Sequence, residues 1–135
     1  MFEMILIITS FLHYLAILPI LFKYNVNKLS HFHTVYVNLI IVTTSISIIW
    51  HYYQEPYNYL MAFDYYFSSL WFIADMLWAL DLCNISILYL NIGSFILNII
   101  INYSNNYILY HSIWHVLNAL KCIYVSYLIT KHFLY

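Results

Sequence analysis

The sequence contains no arginine, one glycine and two prolines. Nine acidic and basic residues, 7% of the chain, are all the fixed charge it carries. Without arginine, and at a formal net charge of −1, it lacks the basic surface that nucleic-acid binding requires. So few glycines and prolines leave no room for long flexible linkers. Two cysteines, Cys83 and Cys122, do not make a disulfide framework and read as packing residues in apolar surroundings. The N-terminus offers no basic stretch and no small-residue cleavage site, so the first apolar run reads as a retained span rather than a removed signal.

What remains is mostly hydrocarbon. Sixty-five per cent of residues are hydrophobic, against about 45–50% in an average soluble domain. Nine charges cannot cover a water-soluble protein of 135 residues, but they suffice for the loops of a bundle that faces lipid. A bilayer admits only helices or closed barrels, because it satisfies no free backbone group. Long apolar runs without period-two alternation select helices.

The expected fold is therefore an all-α, polytopic transmembrane helical bundle of five spans in a single domain. A span needs about 20 apolar residues. Polar punctuation places the spans at about 4–22, 34–52, 59–80, 85–101 and 107–130. The breaks are Lys23 to His33, Gln54 to Asn58, Asp81 to Asn84, and Asn102 to Asn106. Loops this short make neighbouring helices antiparallel. Lys23, Lys28 and Lys131 then fall on one side, and Glu3 and Glu55 on the other. The positive-inside rule puts the N-terminus outside or in a lumen and the C-terminus in the cytosol.

Ionisable groups inside a membrane are costly and are functional candidates by default. His51 ends the second span, Asp64 lies one turn into the third, and His111 and His115 open the fifth. The chain order brings all four to one depth near one membrane face. His111 and His115 are i,i+4 neighbours on one helix face. With His51 they make three ligands, the number that zinc catalytic sites use while keeping a position for water. Ser47 shares the face of His51, and Asp64 is placed to orient or deprotonate that water. His13, His31, His33 and His132 read as interfacial residues. Deeper in the bundle, Asp75 and Lys121 reach similar depth, and each alone at mid-bilayer costs roughly 2.5–3.5 kcal/mol. They are expected to form an ion pair.

The pieces Ser47-Ile48-Ile49-Trp50-His51, then Asp64, then His111-Ser112-Ile113-Trp114-His115 resemble a known pattern. It belongs to the membrane hydrolase superfamily of alkaline ceramidases, adiponectin receptors and related lipid-remodelling proteins (CREST). The run from Tyr107 to His115, the stretch Leu15-Ala16-Ile17-Leu18-Pro19 and Pro56 after the first histidine are similar to its myomaker-like branch. The resemblance implies Zn2+ on the three histidines, Asp64 and Ser47 supporting the water, and a membrane lipid as substrate of amide or ester hydrolysis. The superfamily has seven spans. Here two helices between the aspartate and the paired histidines are missing. Whether the chain is an enzyme therefore stays open. A myomaker-like remodelling factor would keep the zinc site without hydrolysis. A haem anchor, with His51 and one histidine of the last span as axial ligands, and a purely structural subunit are the alternatives. Trp50, Trp71, Trp78 and Trp114 are expected mainly to pack. The tyrosines Tyr52, Tyr53, Tyr57, Tyr59, Tyr103 and Tyr107 fit an interfacial belt. The patterns Asn84-Ile85-Ser86 and Asn102-Tyr103-Ser104 match glycosylation acceptors but lie too close to the bilayer to serve.

Overall fold

The computed structural model describes residues 2–24, 29–55 and 58–132. Lys28, Pro56 and Tyr57 lie outside them, as do the side chains of Glu3 and His132. Five helices are described. The first, α1, is continuous over residues 2–23 but changes its winding. Phe2–Phe11 is α-helical, Leu12–Ile17 is 3-10, and Leu18–Lys23 is α-helical again. Pro19 stands in the first turn of that last segment. It has no N–H to give to a carbonyl of the preceding turn, and the tighter 3-10 turns take up the mismatch. The others are α2 (His31–Tyr52), α3 (Tyr59–Asp81), α4 (Ile85–Asn102) and α5 (Tyr107–His132).

The segments Met4–Lys23, His31–Tyr52, Ile85–Asn102 and Tyr107–Lys131 are long and apolar enough to cross a membrane. The protein is a membrane-embedded helical bundle. α3 is as long as these, since its 23 residues extend about 34 Å. Three aspartates and a run of tyrosine and serine lower its hydropathy. Asp64 and Asp75 are buried within the bundle.

Polar side chains start the helices where the sequence breaks. Ser30 accepts from His33 N, so α2 begins at His31, three residues before the apolar run. Asn58 accepts from Leu60 N at 2.9 Å, and Asn84 from Ser86 N at 3.0 Å. The Asn84 side chain is thus a helix cap. α3 ends with Cys83 in the left-handed region, at φ 48°, and Asn84 N–H reaching back to Ala79 O. Such a turn normally uses glycine. Cys83 is exposed and Cys122 buried, and both are free thiols. Only Cys122 packs in the core as expected.

Each helix packs on its sequence neighbour, and α5 also packs along the whole of α1, closing a ring. α3 and α5 touch only lightly across it. The ring is turned inside out relative to a soluble domain. Large apolar side chains such as Ile8, Phe22, Leu77, Ile96 and Leu120 are exposed, while Ser10, Thr44, Asp75, Asn91 and Ser126 are fully buried. Cross-helix hydrogen bonds join the staves: Tyr14 Oη to Ser45 Oγ at 2.8 Å, Thr43 Oγ1 to Phe67 O at 3.3 Å, and Trp114 Nε1 to Ser94 O at 3.0 Å. Bonds of this kind contribute about 0.6 kcal/mol each in a bilayer. Gly93 is not a close-approach point, because an added Cβ would meet nothing within 4 Å. An apolar cluster of Ile20, Tyr36, Ile40, Val125 and Ile129 seals the end of the ring where Lys23 and Lys131 lie.

Candidate functional site

Between the helices lies a half-open cavity of about 540 Å³ to which all five helices contribute, among them His13, Thr43, Asp64, Asn91 and His111. At the end nearest the turn between α2 and α3, His51, His111 and His115 each offer one nitrogen, and these atoms lie within 4.8 Å of one another. All three side chains are buried. The i,i+4 spacing brings His111 and His115 together edge to face, with ring centroids 4.6 Å apart. His51, at the last turn of α2, meets them from across the ring. His51 Nε2 and His115 Nε2 are separated by 3.1 Å. His111 and His115 line the cavity, and His51 backs them.

The turn after α2 sets the orientation of His51. Gln54 and Glu55 both take positive φ, 63° and 54°, a conformation that costs about 1–2 kcal/mol per non-glycine residue. Two backbone bonds hold it, Gln54 N to His51 O and Glu55 N to Trp50 O, each 3.0 Å. The chain thereby doubles back, and Glu55 Oε1 reaches His51 Nδ1 at 2.8 Å. Tyr107 Oη donates to the same oxygen at 3.2 Å. Partial burial alone pushes the Glu55 carboxyl up, but these two hydrogen bonds and the nearby imidazoles outweigh it and hold it below its ordinary value. An ionised Glu55 accepts a hydrogen bond from Nδ1–H of His51. The lone pair of Nε2 then faces His115. This is the carboxylate–histidine arrangement that orients metal ligands.

Asp64 stands in the cavity wall one turn into α3, hydrogen-bonded to Ser47. Its Oδ1 is buried without a hydrogen-bond partner, as are Nδ1 of His111 and Nδ1 of His115. Buried polar atoms are nearly always satisfied, so unpartnered atoms such as these, on residues that line one cavity, mark a place for a further group. Ser47, Asp64, His111 and His115 thus line one end of the cavity, with His51 behind the two histidines.

Sequence reasoning missed three others. His13 is not an interfacial residue. It is buried, with its ring 5.2 Å from that of His115. Its Nδ1–H donates to Ser10 O at 3.0 Å, and its Nε2 accepts from Asn118 Nδ2 at 3.0 Å. Both nitrogens are spent, so His13 buttresses the cluster and is not a ligand. Ser10 Oγ lies 3.3 Å from His115 Nε2. Glu55 was read only as a loop charge. His33, in the first turn of α2, is buried against the Tyr24 ring. Trp50, Trp71 and Trp114 line the cavity, and Trp71 and Trp78 pack in the core. Tyr107 is spent on Glu55, while Tyr52, Tyr53, Tyr59 and Tyr103 are exposed.

At the inner end of the same cavity Lys121 Nζ lies 2.9 Å from Asp75 Oδ2 and 2.7 Å from Asn91 Oδ1. Tyr36 Oη donates to Asp75 Oδ1, and Trp71 Nε1 donates to Tyr36 Oη. One knot thus ties α2, α3, α4 and α5 together. No family profile, characterised protein or solved structure matches the chain.

Proposed function

We propose that the chain is a five-span membrane hydrolase that cleaves an amide or ester bond of a membrane lipid, using a zinc ion held by His51, His111 and His115. α3 is the fifth span, with Asp64 and Asp75 turned inward. The N-terminus is outside or luminal and the C-terminus cytosolic. The observation that carries the reading is the buried histidine triad beside an unpartnered Asp64 oxygen on a shared cavity. Ligand nitrogens about 2.0–2.1 Å from a tetrahedral zinc lie about 3.3 Å apart. The His51–His115 separation of 3.1 Å fits that edge. The widest edge of the triad stays within 4.8 Å, a gap that rotation of one imidazole closes. The likeness to CREST hydrolases points to the same ion and the same residues.

Zinc supplies a Lewis acid for the scissile carbonyl and makes water a nucleophile at neutral pH. The chain does the rest. Asp64, positioned by Ser47, accepts the proton of the attacking water. Water oxygen bonds to the carbonyl carbon, the C–N or C–O bond breaks, and Asp64 returns the proton to the leaving amine or alcohol. Trp50, Trp71 and Trp114 give the lipid an aromatic wall.

The haem reading fits less well. Two axial nitrogens 3.1 Å apart leave no space for a macrocycle between them.

Metal analysis of the purified full-length protein tests the metal, and hydrolysis of labelled ceramide and phospholipid tests the reaction. The expected result is about one zinc per chain, lost in His111→Ala, with hydrolysis abolished in Asp64→Ala. A protein that takes up no zinc sinks the reading. Zinc without hydrolysis of any labelled lipid turns it toward the non-enzymatic, myomaker-like role.

A further inference from the structure

α4 is the most apolar of the four helices after the first, yet it turns a polar stripe inward. Asn91, Ser94, Asn98 and Asn102 follow at i, i+3, i+7 and i+11, and all four line the cavity. Ser94 is spent on Asn118 Oδ1, at 3.2 Å. Asn91 is different. It is fully buried, and its oxygen is fixed on Lys121 at 2.7 Å. An ammonium only donates, so this contact decides which end of the amide faces Lys121. Asn91 Nδ2, with two N–H groups, is left facing away, buried and without a partner. Lys121 is itself held in an ion pair with Asp75 at 2.9 Å, so the amide is presented by one charge-assisted bond from an anchored ammonium.

We propose that the inner end of the cavity binds an oxygen function, a hydroxyl or keto group, carried midway along the hydrocarbon chain of the substrate lipid, with Asn91 Nδ2 as the donor. The proposal rests on the hydrolase reading for the position of the scissile carbonyl. Lys121 lies six residues beyond His115, about 9 Å along α5. A lipid whose carbonyl sits at the histidines therefore brings chain, not headgroup, to the Asn91 level. A saturated chain there would leave the amide unpaired, and a buried unpaired amide is costly. An oxygen on the chain at this distance satisfies it. Sites built to bond such an oxygen reject the analogue that lacks it.

The test uses the full chain, zinc-loaded in detergent micelles, and measures displacement of a fluorescent fatty acid. The two probes are stearate and a stearate hydroxylated about 9 Å from its carboxylate. The wild type should bind the hydroxylated chain about tenfold more tightly, the effect of one well-placed hydrogen bond. Asn91→Leu, checked for retained zinc and helix content, should bind both alike. Equal affinities in the wild type overturn the proposal whatever the variant does. A preference that survives in folded Asn91→Leu overturns it as well. A preference kept in His111→Ala, which holds no zinc, supports the inner site even where the hydrolase reading has failed.

Discussion

His51 and His115 face each other Nε2 to Nε2 at 3.1 Å, from the last turn of one helix and the third turn of another. With Glu55 on the opposite nitrogen of His51, the facing nitrogen of His51 carries a lone pair. Two lone pairs at that distance repel unless a cation or a proton stands between them.

Glu55 therefore decides how well the triad holds metal. Glu55→Leu removes the Nδ1 partner and frees the imidazole to turn. Its zinc affinity should fall ten- to a hundredfold, the range found for such outer partners. Glu55→Gln keeps an acceptor without the charge and should fall between. Competition with a chromophoric zinc chelator measures both. Unchanged affinity in Glu55→Leu would show that the turn does not orient His51.

The Asp75–Lys121 pair makes an asymmetric prediction. Removing one partner strands a buried charge, at a cost of about 3–5 kcal/mol. Lys121→Met alone should sharply lower the thermal midpoint in detergent. Asp75→Leu combined with Lys121→Met should recover most of the loss, although Tyr36 Oη and Asn91 Oδ1 then lose partners too. A double variant as unstable as the sum of the two single ones would mean that the charges do not act as a pair.

The two cysteines report topology without any added label site. Cys83 is exposed in the turn between α3 and α4, and Cys122 is buried in the core. With α3 as a fifth span and the N-terminus outside, Cys83 is cytosolic. An impermeant maleimide should modify it only after the membrane is opened, and should leave Cys122 unmodified until the protein is denatured. Labelling of Cys83 on intact cells would reverse the assigned orientation or change the span count.

How much of this was legible follows from helix geometry. Fixed rise per residue and short turns set depth, so the order of His51, Asp64, His111 and His115 already placed them at one level. The same reasoning placed Asp75 beside Lys121. It failed where the backbone leaves the α-helix. His13 sits in the stretch of residues 12–17 that winds as a 3-10 helix, whose three-residue turn re-aims side chains that an α-helical wheel misplaces. Glu55 reaches His51 through two positive-φ residues, neither of them glycine, so no turn signature announced it. The i, i+3, i+7 stripe on α4 was readable, but in a bilayer its meaning depends on which way the helix faces. Only the closed ring decides that.

Zinc should also stabilise the fold, because the triad joins α2 to α5 across the ring. A ligand that binds only the native state adds about 2.7 kcal/mol at a hundredfold excess over its dissociation constant. Chelation should therefore lower the thermal midpoint of the wild type and leave that of His51→Ala unmoved. Acid should do the same as chelation. The imidazoles bind metal only when neutral, so zinc affinity falls as protons compete for them. The zinc-dependent part of the stability is then present at neutral pH and lost as pH falls. Lys121→Met, which leaves the triad intact, should keep the full zinc-dependent increment on its lower baseline. Wild-type and His51→Ala proteins that respond equally to chelator would place the metal elsewhere, and the histidines would then be a packing cluster.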